Sequence, residues 1–176
     1  MSPKRTQHLS RENPGVTWDL TELAVRLRNS APGQLFGYEL DSIGDGKAVM
    51  SLRVTDRHKQ IHGVVHGGIL ASLADTAGAM AAYPLLPRGT RLATVEMTIN
   101  YLEPVDRGPI VAQARVLRLG RTLAVAECEV KDAEGNLAAK ALVTFAIMST
   151  AAKQRARRNN PKPNKRAHGK SSRRKK

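Results

Sequence analysis

Asp75 is the only charged side chain between Gly63 and Pro87, with His66 taken as neutral. It stands within Ile69 to Ala82, a run otherwise built almost wholly from Leu, Ala, Ile and other small residues. A lone carboxylate in such surroundings is costly unless something compensates it. Carboxylates placed this way recur as bases and nucleophiles, and also as core residues whose hydrogen bonds are satisfied. Both readings stay open for Asp75 taken alone. The segment before it, Gln60-Ile61-His62-Gly63-Val64-Val65-His66-Gly67-Gly68, shifts the balance. Two glycines at the start of a helix let another molecule approach the free backbone N–H groups. Those groups and the helix dipole favour negative charge. That is the geometry needed to hold a carbonyl oxygen under attack. A Gly-Gly pair by itself can equally be a tight turn.

Other chemistries fit less well. No Gly-x-Ser-x-Gly occurs, so there is no sign of a serine-nucleophile elbow. His62 and His66 are four apart, but in a glycine-broken loop rather than on a helical face. A metal site with Asp75 is therefore not expected. His66 reads better as a side chain that holds the loop than as a base. The single cysteine, Cys128, excludes an internal disulfide framework and a cysteine-based zinc site.

The elements that must position these residues are legible in outline. Asp19 caps a short helix and Glu22, three residues on, suggests a capping box. Leu20, Leu23, Ala24 and Leu27 share one face, and Ala31-Pro32-Gly33 ends it. Leu35 to Ile43 and the alternating run Ala48 to Val54 form a hairpin about Gly44-Asp45-Gly46. Asp56 to His66 is an irregular loop. The 14-residue apolar run from Ile69 to Ala82 is a helix expected to be buried, closed by Pro84 and Pro87. Four strands follow: Arg91 to Leu102, Pro109 to Leu119, Thr122 to Asp132 and Asn136 to Met148. This order predicts an α+β fold, with a long antiparallel sheet wrapped around a central buried helix.

The chain has 176 residues, 29 Lys+Arg and 15 Asp+Glu, a formal net charge of +14. The excess is confined to the ends: residues 151–176 carry 12 basic residues and no acid, whereas 13–150 hold 14 of each sign. The expected organisation is a flexible basic segment over 1–15, one domain over 16–150 and a disordered basic tail over 151–176. The tail is a possible contact for a polyanion, such as RNA, DNA or an acidic membrane. Met1 to Asn13 has no apolar stretch of the kind a secretory signal needs, and no uncharged stretch is long enough to span a bilayer. A soluble cytoplasmic protein is expected.

His66-Gly67-Gly68 followed by Leu70, Leu73 and Asp75 resembles the signature of hotdog-fold acyl-CoA thioesterases of the phenylacetic-acid-degradation type. The run Thr94 to Pro104, Gly108 before a strand, Gly120-Arg121-Thr122 and Asp132 to Leu137 also fit, so the resemblance covers roughly Leu35 to Met148. It implies hydrolysis of an acyl-CoA thioester to free acid and coenzyme A. Asp75 would act as general base or nucleophile, and the Gly67 amide would polarise the thioester carbonyl. Gln60 would lie near the thioester where many relatives carry Asn, and Thr94 would come from the partner subunit to place water. His66, Gly68, Arg91, Gly120, Arg121 and Thr122 would contact substrate. Arg88 and Arg118 are further cations for the coenzyme A phosphates. No cofactor is implied, and a homodimer or a tetramer built as a dimer of dimers is. Two alternatives remain: a hotdog acyl-thioester hydratase or dehydratase using His66 or His62 with Asp75, and a non-catalytic acyl-CoA-binding module with a nucleic-acid-binding tail.

Overall fold

The computed structural model describes residues 18–148. The segment 1–15 and the basic tail 151–176 lie outside the described residues. Two short helices open the fold, α1 (Leu20–Asn29) and α2 (Ala31–Phe36). A hairpin follows, β1 (Tyr38–Gly44) and β2 (Lys47–Arg53), and then the central helix α3 (Gly67–Ala82). The chain ends in β3 (Arg91–Tyr101), β4 (Pro109–Leu119), β5 (Leu123–Lys131) and β6 (Leu137–Met148). All neighbouring strands are antiparallel, in the order β1-β2-β4-β5-β6-β3.

Two local expectations are corrected at the N-terminal end. Ala31-Pro32-Gly33 does not simply end a helix; it begins a second one. The Ser30 hydroxyl accepts from the Gly33 N–H at 3.0 Å, and proline in the first turn is already set for helix. Leu35 and Phe36 therefore belong to α2, and β1 starts only at Tyr38, after the left-handed Gly37. The expected capping box is half present. The Asp19 carboxylate accepts from the Thr21 and Glu22 N–H groups, while the Glu22 carboxylate turns to Arg26 and Arg88.

The sheet curls around α3, which packs against β2, β4, β5 and β6. Alternation puts Ala48, Met50 and Leu52 of β2 inside, with Ile110, Ala112 and Ala114 of β4. Ala124, Ala126, Cys128 and Val130 of β5 and Ala139, Ala141, Val143 and Phe145 of β6 complete the layer. Small residues allow the close approach: a Cβ on Gly78 would stand 3.2 Å from the Phe145 ring. Strand β3 differs from the others. It pairs only with β6, forms a sheet edge and has no buried residue.

Candidate active site

The loop before α3 is pinned by a residue that gave no sequence signal. His58 is buried, at 3% exposure; its Nδ1 accepts from the Thr55 N–H at 3.0 Å, and its carbonyl accepts from the His66 N–H at 2.8 Å. Burial first, and then the Arg57 charge, hold its imidazole below the ordinary histidine range. The loop is tied on its other side by Val65 N–H donating to the Val105 carbonyl at 2.7 Å. Gln60 folds into this loop. Its side-chain Oε1 accepts from the His62 N–H at 2.8 Å, which leaves the amide Nε2–H groups directed elsewhere.

His66 is the N-cap of α3 and fixes which first-turn amide is free. Its Nδ1 accepts from the Gly68 N–H at 2.9 Å, and its carbonyl accepts from the Ile69 N–H at 2.8 Å. A neutral His66 must then carry its proton on Nε2. A Cβ at Gly68 would lie 3.0 Å from His66 Nδ1, so the absence of a side chain at 68 leaves room for the cap to fold back. Of the two glycines, Gly68 is spent on this cap. Gly67 presents an N–H with no acceptor among the described residues, at the positive end of a 16-residue helix. The ring of Tyr101 stands over Gly67, where an added Cβ would meet Cζ at 3.1 Å and Oη at 3.4 Å.

Asp75 lies two turns further along α3, on a half-exposed stripe of the helix. Thr94 Oγ1 donates to Asp75 Oδ1 at 2.8 Å within the same chain. The partner subunit is therefore not needed to bring Thr94 to Asp75. A β-bulge aims Thr94: pairing with β6 shifts between Thr94 and Glu96, leaving Val95 unpaired and 57% exposed. Burial pushes the Asp75 carboxyl above the usual carboxylate range, and the Thr94 hydrogen bond pulls the other way. Beside it, Tyr38 donates to Ser72 Oγ at 2.6 Å. Its phenol is pushed up to about 12 by burial, opposed by Ser72 and reinforced by the Asp75 charge.

The remaining predicted residues gather at one end of the sheet. Arg91 opens β3 opposite Met148, and Ile147 N–H donates to the Thr122 carbonyl at 2.8 Å. Gly120, Arg121 and Thr122 are exposed there in the β4–β5 turn. This is the Thr94 end of β3; Gly67 lies at the Tyr101 end. Arg118 is exposed nearby, and Arg88 is engaged by Glu22. Among the described residues, no group of three or more His, Cys, Asp or Glu is placed to hold a metal ion, and no helix is long and apolar enough to cross a membrane. Beside Gly67 is a cavity of about 380 Å³, reaching to Tyr101 and Val105. A second depression, at Thr98, Glu127 and Lys140, lies on the sheet face away from α3 and is not part of the site.

Residues 62–139 match the Thioesterase superfamily. A curated protein of Saccharolobus solfataricus, named as a candidate esterase, is 39% identical over 60% of this chain and 74% of its own length. The 1,4-dihydroxy-2-naphthoyl-CoA hydrolase of Listeria monocytogenes is 28% identical over 65% of this chain and 93% of its own. A Staphylococcus aureus thioesterase, solved as a glutamine-to-alanine variant, superposes with TM-score 0.66 at 26% identity, over 68% of this chain and 100% of its own. The same S. aureus protein was also solved with a glutamate replaced by alanine, fifteen positions after that glutamine. The antiparallel sheet around α3 is the hotdog fold, and the chain belongs to the thioesterase superfamily as a thioester hydrolase.

Proposed function

We propose that the chain hydrolyses acyl-CoA thioesters to free acid and coenzyme A, at a site assembled from two copies. One observation carries this: Gly67 and Asp75 are eight residues apart on one continuous helix. At 1.5 Å per residue that is about 12 Å along the axis. An oxyanion donor and an attacking group must each lie within about 3 Å of their atoms on one carbonyl. Gly67 and Asp75 of the same chain cannot both do so. Strand β3 offers the way out. It is an edge strand with a free ladder, and Val95, Tyr101 and Leu102 are exposed along or just beyond it. Pairing β3 antiparallel with its own copy runs the Thr94 end of one chain beside the Tyr101 end of the other. Gly67 of one copy then faces Asp75 of the other.

In that site the Asp75 carboxylate takes a proton from water, and the water oxygen attacks the thioester carbon. The Gly67 N–H receives the developing oxyanion, with the free Nε2–H of Gln60 beside it. Collapse breaks the C–S bond, and the sulfur leaves as the thiol of coenzyme A after protonation. Direct attack by the carboxylate, giving an acyl-aspartyl anhydride that water then opens, uses the same geometry. Gln60 and Asp75 are fifteen residues apart. That is the spacing of the glutamine and glutamate replaced in the S. aureus thioesterase, which supports assigning them as a pair. The coenzyme A thioester named for the Listeria relative supports the substrate class. Arg91, Gly120, Arg121 and Thr122 arrive with the Asp75 end and would receive the phosphates. The hydratase reading is disfavoured by His66, whose Nδ1 already accepts from Gly68 and whose Nε2 carries the proton.

Mixing two inactive variants tests the arrangement. Asp75→Asn removes the base. Gly67→Pro removes the N–H, at a first helical position behind an extended His66 that tolerates proline, and its ring also obliges the Tyr101 side chain to shift. After denaturation and joint refolding, random pairing leaves about one site in four with both native groups, if each site spans two copies. Thiol release from an acyl-CoA panel should recover to that level. A mixture as inactive as its parts overturns the two-copy site, and a wild-type protein that releases no thiol overturns the hydrolase reading.

A further inference from the structure

We propose that Tyr101 and Glu103 select the acyl group: Tyr101 sets its length, and Glu103 rejects a terminal carboxylate. The inference rests on the hydrolase reading and concerns the cavity beside Gly67. One side of that cavity is Val65, Gly67 and Leu70; the other is the run 101–105. The second wall is fixed in place. Leu102 and Glu103 N–H groups donate to the Ala138 carbonyl at 2.8 and 3.3 Å, the Val105 carbonyl accepts from Val65, and Pro104 stiffens the bend. Val65, Leu70 and Val105 are buried and apolar, at 6%, 4% and 5% exposure.

A thioester carbonyl held at Gly67 has two substituents, the acyl group and the sulfur arm of the coenzyme. The arm ends in phosphates that need cations. In the two-copy site Arg91 and Arg121 belong to the copy that brings Asp75 and draw the arm to that side, while the one charged side chain lining the cavity is the acid Glu103. The cavity therefore takes the acyl group. Its volume of about 380 Å³ holds roughly a dozen groups the size of a water molecule, at ~30 Å³ each. That is room for the first several carbons of an uncharged chain or for a single ring. The Tyr101 ring, in contact with Gly67, closes the cavity next to the reacting carbonyl. Glu103 is exposed at the mouth, where a second carboxylate would be repelled.

The test is a selectivity profile, measured as kcat/KM over straight-chain acyl-CoAs from two to sixteen carbons with glutaryl-CoA added. Tyr101→Ala should move the optimum to longer chains, raising the ratio of long to short substrates by about tenfold. Tyr101→Phe keeps the ring and should keep the wild-type optimum. Glu103→Gln should raise glutaryl-CoA relative to hexanoyl-CoA by about fivefold, the size of one exposed like-charge repulsion. Parallel profiles in all three variants overturn the proposal while leaving hydrolysis itself intact. The dissociation constants of non-hydrolysable S-alkyl-CoA thioethers give the same comparison without turnover. A chain-length dependence that Tyr101→Ala does not alter there also overturns it.

Discussion

At the start of α3, Gly67 presents a backbone N–H; two turns later, Asp75 presents a carboxylate with Leu73, Ala74 and Ala77 buried around it. The first group is part of the helix itself. It needs no side-chain rotamer, carries a fixed partial charge and is kept free because His66 satisfies its neighbours Gly68 and Ile69. The second group is held against its own preference, with burial raising its proton affinity and only the Thr94 hydrogen bond opposing that. An oxyanion donor gains from being rigid and always present. A base gains from a proton affinity brought nearer to working pH. In the proposed two-copy site, the start and the middle of one helix supply complementary halves of the reaction.

Removing the base should have the largest consequence. Asp75→Asn keeps the size and the acceptor for Thr94 but cannot take a proton, and kcat should fall by about 10³-fold or more. Single-turnover thiol release checks this, and a loss below tenfold would mean that another group attacks or that water needs no base. Gly67→Pro should follow, with a loss of about 10²-fold in kcat for one oxyanion donor. Its effect should fall on kcat far more than on KM, because the donor matters most once charge develops. An effect confined to KM would place Gly67 in ground-state binding only.

Thr94→Val separates the two halves more finely. It removes a hydrogen bond to a charged group, and kcat should fall about tenfold. The direction of the pH dependence is the sharper readout. Asp75 acts as a base only when ionised, so activity rises as pH passes through its raised value. Without Thr94 the charged form loses its one stabilising partner, and the acid limb of kcat/KM should move to higher pH. The limb in Gly67→Pro should stay where it is. An unmoved limb in Thr94→Val would mean that some other group sets it.

The legible parts of this site were those written in local contrast. Asp75 stood out because its neighbours carry no charge, and the glycine pair because it opens an apolar helix. The succession of elements along the chain follows from alternation and turn residues, which act over a few positions; the turn-like run 104–108 suggests a β3–β4 hairpin, but β3 pairs with β6 instead. What could not be read depended on distant groups. That Tyr101 covers Gly67 is a contact across 34 residues, and that Thr94 meets Asp75 within one chain depends on an unpaired Val95 with no special composition. His58 holds the loop through a buried ring, yet one histidine in an irregular segment has no period to betray it. The second helix is hidden because Pro32-Gly33 signals both a stop and, after Ser30, a start.

The smallest expected effect concerns stability. The folded-state proton affinity of Asp75 is raised above that of the unfolded chain, so its contribution to stability is present at low pH. That contribution is lost as pH rises through the folded value, and at neutral pH the ionised carboxylate is a net burden on the fold. Asp75→Asn carries no such burden and keeps an oxygen for the Thr94 hydroxyl. At pH 7 its melting temperature should exceed that of the wild type, by no more than about 4 °C for a chain of this size. The gap should close as pH falls below the ordinary carboxylate range, where wild-type Asp75 is protonated in both states. Scanning calorimetry at pH 7 and at low pH separates this from a packing effect, which would not depend on pH. A wild type that melts higher at pH 7 would show that Asp75 is a stabilising core residue and not a strained base, and would remove the contrast with Gly67 on which the site rests.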